Sequence, residues 1–97
     1  MHVLVVDADS HTNARLAAAL EQAGFRVGTA ASGDEALTSV AGHVPQVIVL
    51  DRELPDFDGL EVCRQVRLLP DRIRIVMFSY AAEAAEERAE PRAHALS

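Results

Sequence analysis

The sequence predicts an α/β fold, a parallel sheet with helices on both faces. Three observations carry that expectation. Short apolar runs alternate with stretches of helical periodicity, and the helices are long enough to serve as crossovers between parallel strands. The run "VIVL" before Asp51 is apolar without alternation, as in a strand buried on both faces. Several of these runs also end on a polar residue, so the carboxyl ends of parallel strands would gather polar groups on one rim, where open α/β sheets usually meet their ligands.

In order along the chain, "HVLVVD" (His2 to Asp7) reads as the first strand. The helix after it carries Leu16, Ala17, Leu20 and Ala23 at helical spacing. Asp9 or Ser10 can cap its start, and Gly24 supplies the left-handed residue that commonly ends a helix. "RVGTA" (Arg26 to Ala30) is a short second strand. Ser32 with Glu35 three residues on forms a capping box for a second helix through Leu37, Val40 and Ala41.

The third strand runs from Gln46 to Asp51. After Gly59, Val62, Cys63, Val66 and Leu69 make one apolar helical stripe that Pro70 stops. "RIRIVMFS" (Arg72 to Ser79) is the fourth strand. "YAAEAAEERAE" follows as a polar, alanine-rich helix candidate, and residues 91–97 read as a tail with no element of their own.

The 97 residues suit one domain, and 49% hydrophobic with 25% charged residues is ordinary for a globular chain. A net charge of −6 argues against a nucleic-acid surface, which needs clustered cations. No apolar stretch approaches the ~20 residues of a membrane span, and "VLVV" is too short for a signal peptide, so cytoplasm is the expected location. Cys63 is the sole cysteine and reads as a small core hydrophobe, while His2, His11, His43 and His94 show no ligand spacing and read as surface residues. The cations are nine arginines and no lysine.

The motifs "VLVVDAD", "VIVLDRELPDFDGLEVCRQVR" and "IVMFS" together resemble the receiver domain of bacterial response regulators, from His2 to about Ala85. The middle motif is the specific one. The resemblance implies a receiver-like domain over residues 1–90 with a doubly wound, flavodoxin-like parallel sheet of strand order 2-1-3-4. It also implies a signalling module rather than an enzyme, one that at most assists its own phosphorylation and dephosphorylation. A histidine kinase or phosphotransfer protein would pass a phosphoryl group to Asp51, and an output protein or domain would read the result. Mg2+ would be held by Asp7, Asp51 and the backbone carbonyl of Glu53. The hydroxyl of Ser79 would bind the phosphoryl group and act as the switch.

The chain departs from the family pattern in three places. Ala8 stands where a second acid usually follows Asp7; Asp9 is the candidate replacement, with a helix cap as its alternative reading. Tyr80 follows Ser79 where small residues are usual. The fifth strand and its lysine are missing from the expected pattern, with Arg88 and Arg92 falling on the helix candidate and the tail. Without a fifth strand, the fourth would be an exposed apolar edge, which predicts a homodimer or partner docking there. The main rival function is a phosphorylation-independent pseudo-receiver acting through protein contacts. A small flavodoxin-like enzyme is disfavoured because no glycine-rich phosphate loop follows the first strand.

Overall fold

A computed structural model describes residues 1–79 and, as backbone, residues 92–96. The elements are β1 (His2–Val6), α1 (Ser10–Gln22), β2 (Arg26–Ala30), α2 (Gly33–Gly42), β3 (Val47–Asp51), α3 (Gly59–Arg67), β4 (Arg74–Ser79) and β5 (Arg92–Leu96). They form one sheet of order β2-β1-β3-β4-β5. The first four strands are mutually parallel, in the 2-1-3-4 order expected.

The fifth strand corrects the sequence reading. Arg92–Leu96, expected as a tail, pairs antiparallel with β4 from Ser79↔Arg92 to Ile75↔Leu96. Strand β4 is therefore interior, and the bare apolar edge that motivated a dimer or partner at that position does not exist. The first residue of β5 pairs with Ser79 at the carboxyl end of the sheet and its last with Ile75, so it runs against the other four strands. "RAHAL" gave little strand signal because two of its five residues are alanine, which is depleted in strands. The helix candidate at residues 80–90 lies outside the described residues.

Alternation along the strands sorts side chains onto two faces. Leu4, Val6, Ile48, Leu50, Ile75 and Met77 form one core with Ala36 and Val40 of α2 and Val62, Cys63 and Val66 of α3. Ile48 and Leu50 are fully buried there, each contributing about 1.5–3 kcal/mol from apolar burial. Cys63 packs in this core, as expected of a small hydrophobe. On the opposite face, α1 lies against β1 and β2. Val3 and Val5 are buried, whereas Val47, Val49 and Val76 are half-buried.

The caps fall where the sequence placed them. The Asp9 side chain accepts from the amides of His11 and Thr12, and Ser32 Oγ accepts from Glu35 N. Gly24 turns the chain after α1 at φ +99°, a conformation an L side chain rarely adopts. One histidine departs from expectation: His2 is half-buried, with its ring stacked on that of His43 at 4.2 Å and 11°.

Candidate functional site

Strands β1 and β3 are neighbours in register, with Val6 beside Leu50, so the residues that follow, Asp7 and Asp51, meet at the carboxyl rim. Both are buried, at 1% and 6% exposure. Asp7 Oδ1 accepts from the Asp9 amide at 2.9 Å, while its Oδ2 is buried with no hydrogen-bond partner. Asp51 Oδ1 accepts from the Glu53 amide at 3.0 Å.

Burial pushes the Asp51 carboxyl up to about 6, helped by the charges of Asp7 and Glu53 and opposed by the Glu53 N–H. Asp7 is raised too, chiefly by burial and also by the Asp9 charge, against the hydrogen bond from the Asp9 amide. Two carboxylates side by side in a poorly solvated place resist ionising together. A cation between them would remove that resistance.

Ser79 ends β4 on the same rim, half-buried, and its Oγ donates to Glu53 Oε1. The hydroxyl is thus engaged by a carboxylate from the loop after β3. Opposite Ser79, in register on β5, stands Arg92. Arg92 thus occupies a register position in the sheet, where the sequence reading placed it in a tail. Tyr80 and Arg88 lie outside the described residues. Asp9 is exposed, and its Oδ1 is spent on α1, accepting from His11 N at 3.0 Å and Thr12 N at 3.4 Å. Those amides, Thr12 first, hold its pKa below the usual value.

The acidic loop after Asp51 divides its carboxylates among separate tasks. Asp56 reaches α2, accepting from Gly33 N and Asp34 N at 2.8 Å each, and so ties the loop to that helix. Asp58 caps α3 through Leu60 N at 2.9 Å. Between these anchors Gly59 lies close under the end of β3, its amide donating to Arg52 O at 2.7 Å. A Cβ there would come within 2.8 Å of Arg52 Cα and 2.9 Å of Asp51 O.

Sequence reasoning missed Asn13. Buried on α1, its Nδ2 donates to Asp7 O at 3.0 Å and to Ala30 O at 2.9 Å, fastening the ends of β1 and β2 together. An asparagine on the inward stripe of a helix, between Thr12 and Leu16, is the only signal that could have revealed it.

The donor set suits a small hard cation. Among the described residues no group of three or more His, Cys, Asp or Glu side chains forms a metal cluster. Two carboxylates with one backbone carbonyl, including the orphaned Oδ2 of Asp7, are nonetheless what magnesium uses when it keeps several of its waters. Among the described residues no helix is long and apolar enough to cross a membrane.

A parallel 2-1-3-4 sheet with paired acids at the ends of β1 and β3 and a hydroxyl at the end of β4 defines a receiver-type signalling module. The sequence model of the response regulator receiver domain matches residues 3–95, and the chain belongs to that family, part of two-component signalling. It is 40% identical over 88 residues to the response regulator MprA of Mycobacterium avium, covering 91% of this chain. The chain spans 38% of the length of that curated relative. Among solved structures, a putative response regulator from Chloroflexus aurantiacus is 36% identical with a TM-score of 0.74, covering 78% of this chain and 64% of that one. The response regulator TrrA from Thermotoga maritima, in complex with Mg2+-BeF, is 28% identical with a TM-score of 0.77, covering 88% and 75%.

Proposed function

We propose that this domain accepts a phosphoryl group on Asp51 from a histidine kinase or phosphotransfer protein and passes the change to an output protein or domain. The observation that carries this reading is the buried Asp7–Asp51 pair, with one carboxylate oxygen left without a partner at the rim. In the reaction a carboxylate oxygen of Asp51 forms a bond to phosphorus as the bond from phosphorus to the donor's imidazole nitrogen breaks; the electron pair returns to that nitrogen. Mg2+ bound by Asp7, Asp51 and the Glu53 carbonyl supplies charge neutralisation for the transferring group.

The remaining residues act around that step. The Glu53 amide, which donates to Asp51 Oδ1, orients the acceptor. Ser79 exchanges its Glu53 acceptor for a phosphoryl oxygen, and the movement of β4 that accompanies the exchange is the signal.

The direct test is incubation with magnesium and a small phosphodonor followed by mass spectrometry. One added phosphoryl group, absent from Asp51→Asn, is the expected result. Unmodified protein under conditions that load an ordinary receiver overturns the proposal in favour of a pseudo-receiver read through its surfaces. Two observations favour that second reading: Ala8 contributes no carboxylate, and Asp9 Oδ1 is committed to capping α1.

A further inference from the structure

At the opposite end of the sheet from Asp51 lies a hollow of about 670 Å³, lined by Met1, Gln46, Val47, Arg67, Asp71, Arg72, Ile73 and Arg74. Its volume lies within the usual ~300–1,000 Å³ of small-ligand sites. The charge of its walls runs against that of the molecule. A chain of net charge −6 places three of its nine basic residues here, against one carboxylate, Asp71.

The arginines are held in different ways. Arg67, on α3, donates through Nη1 to Ile73 O at 2.6 Å, which fixes its guanidinium at the wall. Arg72 and Arg74 flank Ile73, and both line the hollow. Both are exposed, and among the described residues neither forms a salt bridge with a carboxylate, Asp71 included. Arg74 stands in register beside Val47, so a guanidinium and an apolar side chain lie next to each other. Val47 is half-buried and Ile73 is buried. A guanidinium fork makes paired hydrogen bonds to phosphate or carboxylate, and its flat face stacks on planar groups.

We infer that this basal hollow is a binding site for a small organic dianion, a planar or apolar body carrying two phosphate or carboxylate groups, gripped by Arg72 and Arg74 beside the half-buried Val47. The site is independent of the phosphoryl chemistry proposed for the other end. Val47 and Asp51 lie four steps apart along β3, about 13 Å of strand.

The test uses the full chain without magnesium, followed by amide NMR shifts. ADP probes the phosphate source and naphthalene-2,6-dicarboxylate the carboxylate source; a poly-glutamate peptide probes an acidic protein partner instead. Saturable shifts with either small dianion at the amides of Gln46, Val47, Ile73 and Arg74 are expected. The variant Arg72→Gln/Arg74→Gln should retain the melting temperature and bind at least about tenfold more weakly, since it loses the charge-assisted bonds to both anionic groups. The inference is overturned by shifts that survive in that variant, by shifts confined to the rim at Asp7 and Asp51, by no response at millimolar ligand, or by binding of the acidic peptide while both small dianions fail.

Discussion

Replacing Asp51 with asparagine removes a charge that the folded chain holds against its own preference, and the size of the effect follows from the titration of that residue. Its carboxyl is pushed from 3.8 up to about 6 by burial and by the charges of Asp7 and Glu53. A group whose folded pKa is raised binds more protons folded than unfolded, so stability falls as pH rises from the unfolded value through the folded one. Below 3.8 both states are protonated and nothing is lost; above 6 the loss is complete. A difference of roughly two pKa units corresponds to about 3 kcal/mol at pH 7.5 and about 0.5 kcal/mol at pH 4.

Asp51→Asn keeps an oxygen that can accept from the Glu53 amide, so the change isolates the charge. In the absence of divalent cations the variant should be more stable than the parent at pH 7.5, by about 1–3 kcal/mol. Even half the full amount raises Tm by roughly 6–12 °C for a domain of this size. The gap should close towards pH 4, and millimolar magnesium should narrow it at pH 7.5 by stabilising the parent alone. Urea melts of the two proteins across this pH range measure it. A variant no more stable than the parent, or a gain that does not change with pH, would refute the account of Asp51 as a charge destabilised by its setting.

Asn13→Leu leaves Asp7 O without its side-chain donor and Ala30 O with only the Asp7 amide, so chemical denaturation should show a loss of about 1–3 kcal/mol. Gly59→Ala drives a methyl into Arg52 Cα and Asp51 O; a loss of about 1–3 kcal/mol in urea melts and slower phosphorylation from a small donor are both expected. Glu53→Ala frees the Ser79 hydroxyl and withdraws one of the charges that raise Asp51. The midpoint of its phosphorylation rate against pH should therefore move down relative to the parent.

Most of the fold was legible because the sequence states it twice, in periodicity and in caps. The first four strands fall where apolar runs lie, and Asp9, Ser32 and Gly24 mark helix ends with groups that have few other uses. The boundaries differ by one or two residues, as at β4, which begins at Arg74 rather than Arg72. Strand β5 was not legible. Five residues rich in alanine carry no apolar alternation strong enough to outweigh their weak strand preference, and pairing with β4 is a long-range fact that local pattern does not encode.

The site divides along the same line. Asp7, Asp51 and Ser79 could be placed at strand ends from pattern, and the structure brings the two acids together and links Ser79 to them through Glu53. The engagement of Ser79 by Glu53 depends on a side chain crossing from one loop to another strand, which spacing cannot report. Nor can spacing report that Asp56 is a tether to α2.

That tether constrains how the domain can respond. With Asp56 fastened to the first amides of α2, Asp58 seated on α3 and Gly59 pressed beneath the strand end, the segment after Asp51 has little freedom to swing as an isolated flap. Any displacement of the strand tip is shared with two helices at once. The smallest unit that can shift is a corner of the molecule, which favours a few discrete arrangements over a continuum of loop poses.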